Sequence, residues 1–391
     1  MRNLRVALLL VGLFLVVGCG PKDMSGQDLS GQDLGGQDLS RVNLSYANLT
    51  DANLRRANLS EANLSGANLT DADLHRANLS ETDLSEANLT DANLTGADFT
   101  TFFIGADLTD ANLTRANLTG AYLAYVNLSY ADLNDTNLSG ANLTNAYLAD
   151  TDLTNTDLAG ADLTSANLVR ADLTDASLTG ANLTDAYLSH ANLNEADLTD
   201  TNLSGTIFND ADLSGACLHA ANLIHADLAG ANLARADLTG ANLFNASLMG
   251  ANLTDADLTE VNLAFANLAF ANLRGALLPA ATLGVTDLRR ADFTNANLRG
   301  AHLHLANLTE ANFTGADLTG ADFNSFEGAD LAGVNLTDAD LTDTDLADAD
   351  LTDANLTRAN LTGANLTGAN LTDTDLTDAI LTGTRGYDRK D

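Results

Sequence analysis

The 391-residue chain has no tryptophan, only 2 prolines and 2 cysteines, and just 5% aromatic residues. A mixed core built on large aromatic side chains is thereby excluded, and the 45% of residues that are hydrophobic are mostly Ala and Leu. Two cysteines, Cys19 and Cys217, exclude a disulfide framework. Positive charge is scarce too: 18 Lys and Arg face 53 Asp and Glu, for a formal net charge of -35, and the only lysines are Lys22 and Lys390. No basic patch on such a chain would bind nucleic acid directly. The acidic, Lys-poor balance suits a halophilic host. Also missing are a Ser/His/Asp arrangement outside the repeats described below, a glycine-rich phosphate loop and a paired-carboxylate pocket. The expectation is therefore a non-enzyme with no cofactor.

The N-terminus reads as an export signal. Arg2 and Arg5 form a short basic region, Val6 to Val17 an apolar run, and Val16-Val17-Gly18 brings small residues up to Cys19. That run is too short for a bilayer-spanning helix, which takes about 20 residues. The box Val16-Val17-Gly18-Cys19 resembles the lipoprotein signals in which the Cys is diacylated and the chain is cut before it; Leu is more usual at the place of Val16, and Ala or Ser at Val17. The resemblance implies a signal peptide over 1–18, a lipidated Cys19 with a short linker over 19–26, and a protein held at a membrane through that lipid, on the extracytoplasmic face of the cell envelope.

From Gln27 onward one pattern dominates. Leu or Phe stands at every fifth residue from Leu29 to Phe99, from Phe103 to Phe323, and from Leu331 to Leu381. A small residue, usually Ala, lies two before each centre, Asn or Asp one before, Thr or Ser one after, and then a variable residue. The unit is A-(N/D)-L-(T/S)-x. Five residues advance an α-helix by about 500°, which scatters the leucines around it. On a flat strand an odd period sends alternate leucines to opposite faces. The remaining solution is a chain that turns by a fixed angle every five residues and stacks its coils about 4.8 Å apart.

This unit resembles the pentapeptide-repeat family over Gln27 to Thr382. The resemblance implies an all-β fold, a right-handed quadrilateral β-helix with about four repeats per coil, with Leu49, Leu54, Leu59 and the preceding Ala47, Ala52 and Ala57 pointing inward. The solenoid is expected over 27–383 and a tail over 384–391. Phe99 to Phe103 is four residues, reading as one residue deleted near 100–103, and Phe323 to Leu331 is eight, across 324–328. A bulge or small loop is expected at each break. A bend is expected near 276–286, where Pro279 would remove a ladder donor and Leu277 replaces Asn or Asp. Gln27, Gln32 and Gln37 stand where the small inward residue belongs, so a looser cap or a partly ordered stalk is expected there. The tail carries no amphipathic helix to cover the last coil, so end-to-end self-association is expected.

The outward residues must carry any function. With twenty residues per coil, Asp132, Asp152 and Asp172 form an acidic ladder able to hold cations loosely, whereas Asn182, Asn202, Asn222, Asn242 and Asn262 can pair their amides along the stack. Phe102, Tyr122, Tyr125, Tyr130 and Tyr147 form a candidate interaction patch for an unknown protein partner or glycan, with Phe102 expected to stack on Tyr122. Tyr187 and Ile207 form a similar pair. Of the histidines, only His302 and His304 are close in sequence, and no further ligands follow, so no metal site is expected. Cys217 reads as an idle thiol. The many Asn-Leu-Thr and Asn-Leu-Ser triplets match a glycosylation acceptor, but the repeat generates them automatically. A rod this acidic approaches the line charge of duplex DNA. The alternative function is therefore that of the family's quinolone-resistance branch, which it would resemble as a DNA mimic occupying a topoisomerase; the export signal argues against it.

Overall fold

A computed structural model describes residues 22–100, 105–323 and 330–387. Residues 1–21 with Cys19, the candidate Phe102, the centre Phe103 and the last four residues lie outside these. Two compact units divide the chain, Met1–Asn182 and Leu183–Asp391. Both are built alike. Parallel backbone pairing joins each Asn/Asp position to the one twenty residues later, as in Asp132 to Asp152 to Asp172 in the first unit and Asn222 to Asn242 to Asn262 in the second. Four turns of five residues thus make one coil, and the fold is an all-β quadrilateral β-helix. Among the described residues, no helix is long and apolar enough to cross a membrane.

The unit A-(N/D)-L-(T/S)-x satisfies its backbone donors completely, and this explains its composition. The repeats around residues 131–156 show how. The central Leu133 N–H donates to the Asp152 carbonyl of the next coil at 2.7 Å, while Asp152 N–H donates back to Ala131 at 3.0 Å. The fifth residue's N–H, on Asp135, reaches Thr154 at 3.1 Å, and the first residue's N–H, on Thr136, closes the turn on Leu133 at 3.0 Å. Only the fourth residue's N–H has no backbone acceptor. The Asn or Asp side chain takes it: Asp152 Oδ1 accepts from Thr154 N at 3.0 Å and from Thr154 Oγ1 at 2.7 Å. Asn or Asp followed two residues later by Thr or Ser is therefore a side-chain-closed turn, repeated wherever the second residue is Asn or Asp.

The fifth residue sits in the left-handed region, with φ near 56° at Asp135 and 55° at Asn155. Gly, Asn and Asp tolerate it best. Inside, the central Leu or Phe and the small first residue are almost wholly buried. Phe293 and Phe313 stack in parallel with ring centres 4.7 Å apart. Where Thr replaces the inward Ala, its hydroxyl donates to a carbonyl of the preceding coil, as Thr136 does to Leu113 at 2.8 Å and Thr151 to Leu128 at 2.9 Å. No buried hydroxyl is stranded at these places.

The first break corrects the reading of a one-residue deletion. Asp83 pairs with Asp107 and Asp98 with Tyr122, a spacing of twenty-four, and Ala106 N–H donates to the Phe99 carbonyl at 3.1 Å, the bond that elsewhere joins residues three apart. Four residues have been inserted, and the next described centre after Phe99 is Leu108. Because Phe103 falls five before Leu108, the sequence period alone could not reveal the insertion. At the second break Asn307 pairs with Asp330 and Asp322 with Asp345, a coil lengthened by three residues. Pro279 removes no ladder donor. It is a fourth residue, whose N–H would only meet the side chain two before it, and here that residue is Leu277, which has no acceptor. The pairing of Asp257 to Leu277 to Asn297 runs through undisturbed, and Pro279 still accepts from Glu260 N–H at 3.0 Å.

Outside, an amide can reach down the stack. Asn43, Asn48, Asn53 and Asn58 each donate Nδ2–H to Oδ1 of Asp23, Asp28, Asp33 and Asp38 in the coil beneath, at 2.8–3.0 Å. In the second unit Asn222 donates to Asn202 and Asn262 to Asn242, both at 3.0 Å. At the near end of the first unit, Met24, Leu29, Leu34 and Leu39 are buried although Gln27, Gln32 and Gln37 stand at the small inward position. The side chain of Gln, an apolar stem with a polar tip, is suited to an end coil. The last described coil of the second unit differs, leaving Leu371, Leu376 and Leu381 partly exposed.

Candidate functional site

The core is filled, so chemistry is left to the second, fourth and fifth residues of each unit. Among the described residues, no three His, Cys, Asp or Glu side chains converge as a metal site. His302 faces Asp322, with Nδ1 3.9 Å from Oδ2, and His304 extends from the neighbouring corner over Gly284. Asp132, Asp152 and Asp172 do stack in one column. Each Oδ1 accepts the N–H of its own turn, from Asn134, Thr154 and Thr174. Some corner charges are compensated: Arg41 pairs with Glu61, Arg170 with Asp150 and Arg358 with Asp338, each twenty residues apart. The carboxyls of Glu61, Asp150 and Asp338 are held below the usual carboxylate range, first by the hydrogen bond from the guanidinium. Such exposed pairs contribute little each. Cys217 stands between Asp197 and Asp237, its Sγ 3.2 Å from Thr199 Oγ1.

The tyrosines do not form one column. Tyr122 stands between Asp98 and Asn142 on one side of the first unit, and Tyr147 between Asn127 and Asn167 on the next. Tyr125 and Tyr130 are corner residues with φ of 62° and 63°. The expected stacking of Tyr122 on the residue twenty earlier is overturned by the four-residue insertion, which sets Asp98 beneath it; Phe102 itself lies outside the described residues. What the structure does bring together is Tyr125 and Tyr147. They line a cleft of about 570 Å³ with Gly105, Ala106, Asp107, Asn127 and Ser129. The chain re-enters the coil at Gly105, where a Cβ would lie 2.5 Å from Val126 N and 2.6 Å from the Tyr125 carbonyl. Across the floor, Asn127 Nδ2 donates to Asp107 Oδ1 at 3.2 Å and to Thr109 Oγ1 at 2.7 Å.

A second feature, in the other unit, escaped the sequence reading. Along one corner the fifth residues are His225, Asn245, Phe265, Val285 and Leu305, twenty apart in consecutive coils, where this position is most often Asp, Glu, Arg or Gly. Phe265 is 52% exposed, Val285 41% and Leu305 56%. The fourth residue Phe244 extends the stripe, its ring 5.3 Å from that of Phe265 and 6.3 Å from that of His225. At the adjoining corner Arg290 lies 5.7 Å from the ring centre of Phe270. The signal was available: writing the sequence in rows of twenty aligns these residues, whereas searching for neighbouring aromatics does not. Tyr187 and Ile207 are paired as expected.

Comparison with protein families gives a match to the model described as Pentapeptide repeats over residues 23–100, 103–284 and 286–383. Among solved structures, the chain is similar to HetL, a pentapeptide repeat protein involved in heterocyst differentiation regulation in the cyanobacterium Nostoc. They share 35% identity over 62% of this chain and 88% of HetL, with a TM-score of 0.25. It is also similar to QnrB1, a plasmid-mediated fluoroquinolone resistance protein, at 21% identity over 52% of this chain and 90% of that one, TM-score 0.30. A pentapeptide repeat protein of the Arabidopsis thaliana thylakoid lumen matches at 31% identity over 29% of this chain and 69% of its own, TM-score 0.16. No curated protein sequence matches.

Proposed function

The chain belongs to the pentapeptide-repeat family, and from that premise we propose that it acts without catalysis, as a scaffold that presents a protein-binding surface at the cell envelope, anchored through a lipid on Cys19. The observation that carries the binding role is the corner formed by Phe265, Val285 and Leu305. Apolar side chains left in water on an acidic protein forgo burial, which would stabilise by about 25 cal/mol per Å². A β-branched residue at φ 60°, as Val285 is, adds backbone strain. Neither feature helps the solenoid fold; both are expected of a surface that a partner covers. The arginine pairs and this stripe also interrupt the uniform negative charge that DNA mimicry would need. Supporting the anchor are Arg2 and Arg5, the apolar run to Val17 and the box ending in Cys19. The partly exposed Leu371, Leu376 and Leu381 supply a surface for end-to-end association.

Crosslinking on intact cells tests the binding role: Phe265→Asp with Leu305→Asp should abolish an adduct that the parent protein forms, and an adduct of unchanged yield would refute it. Fractionation tests the anchor separately. Cys19→Ala should move the protein out of the membrane fraction, and retention there would refute lipid attachment.

A further inference from the structure

We propose that the cleft between Tyr125 and Tyr147 is a binding site for a cationic side chain, arginine in preference to lysine, carried on an extended basic segment of a partner protein. This goes beyond the apolar corner, which lies in the other unit, and does not depend on it. Three observations converge on the ligand's chemistry. The lining includes two tyrosines, Tyr125 and Tyr147, a residue type whose ring face attracts cations and on which a planar guanidinium can stack. The floor holds the exposed carboxylate of Asp107. Its Oδ1 is engaged by Thr109 N at 3.0 Å, Thr109 Oγ1 at 2.6 Å and Asn127 Nδ2 at 3.2 Å, all neutral donors. Among the described residues no Arg, Lys or His forms an ion pair with it, whereas Asp91 and Asp150 in the same unit are paired with Arg115 and Arg170. The cleft therefore supplies a negative charge without a counter-ion. Lastly, the formal charge of -35 draws basic partners in from a distance and repels acidic ones.

At about 570 Å³ the cleft is larger than one side chain needs, so it accommodates the flanking backbone of an extended peptide as well. The glycine at 105 lets the chain pass close enough to the Tyr125–Val126 backbone to leave the floor open. The neutral alternative occupant for an aromatic-walled cleft with amide and hydroxyl groups is a glycan. The uncompensated carboxylate favours the cation, and the test separates the two.

The probe is a fluorescently labelled peptide, Gly-Arg-Gly-Arg-Gly, titrated by anisotropy against the full chain at fixed ionic strength, with maltohexaose as the neutral counterpart. Tyr125→Ala with Tyr147→Ala leaves the net charge unchanged and should weaken peptide binding about tenfold, the range expected for two cation–π contacts. Asp107→Asn keeps the Oδ1 acceptor, so the turn survives and only the charge is lost; it should weaken binding several-fold. Asp257→Asn removes one charge from the other unit and should leave binding as it is. Equal binding by the double-alanine variant and the parent would overturn the site, since the peptide would then be reading only the overall charge. Maltohexaose binding that depends on the two tyrosines, with no peptide binding, would overturn the ligand class. Neither outcome touches the crosslinking result at Phe265 and Leu305.

Discussion

Two parts of the first unit carry carboxylates at the same position of the repeat, yet they do so on opposite terms. In the first coil Asp23, Asp28, Asp33 and Asp38 each accept an amide hydrogen from an Asn in the coil above. In the column Asp132, Asp152, Asp172 carboxylate stands directly on carboxylate. The amide link runs one way, from the later coil to the earlier. An end coil needs only acceptors, and Asp is as good as Asn there. Within the stack a residue must accept from above and donate below, which Asn can do and Asp cannot. An Asp on an Asp loses the link and adds like-charge repulsion of about 0.9 kcal/mol in bulk water at about 4.8 Å. The charge of a residue thus matters less than its place in the direction of donation.

Converting Asn43, Asn48, Asn53 and Asn58 together to Asp should have the largest effect, because it turns four amide links into four stacked carboxylates. The melting temperature at low salt should fall by about 5–10 °C by circular dichroism, and an unchanged melt would break the comparison. The reverse change, Asp152→Asn, gives the column a donor toward Asp132. It should raise the melting temperature by about 2–4 °C at low ionic strength, with the gain from relieved repulsion fading near 1 M salt, where the Debye length is about 3 Å.

Acid should separate the two regions more gently. Hydrogen bonds from Ser25, Ser30 and Ser40 hold the carboxyls of Asp23, Asp28 and Asp38 below the ordinary range. A carboxyl lowered in the folded state contributes stability above its unfolded value, about 3.9, and loses it as the pH falls through the lowered folded value. Replacing the three serines with Ala should therefore move the acid-unfolding midpoint up by a few tenths of a pH unit, and a downward shift would reverse the assignment. The smallest effect is expected of Asp28→Asn, which keeps the acceptor where nothing below needs a donor. A change of more than about 1 °C would show that the end coil follows other rules.

Much of this was legible beforehand because a five-residue period with Leu or Phe at its centre admits few backbones. The inward Ala and Leu followed from it, whereas the coil of four units, and with it the stacking of Asp132, Asp152 and Asp172, was implied by the resemblance to the pentapeptide-repeat family. Other features were not legible, for reasons that differ residue by residue. The Asn/Asp and Thr/Ser positions look like surface polarity until the fourth residue's N–H is seen to lack a backbone acceptor. Pro279 and Leu277 look like a disruption when each is taken alone, but together they remove a donor and the acceptor it would have met. The insertion after Phe99 mimics a deletion because Phe103 keeps step with Leu108. Tyr125 and Tyr147 could be flagged as exposed aromatics, but searching for a column twenty residues apart does not join them, because one is a corner residue and the other a second residue on the adjoining side.

The order of residues along the chain settled what lies inside, since inward positions are set by local geometry that every five-residue unit repeats. Only the tertiary structure decided which outward residues are neighbours. Contacts between coils depend on how many residues each coil contains, and a few extra residues in one coil reassign every partner across it while leaving the local pattern on either side unaltered.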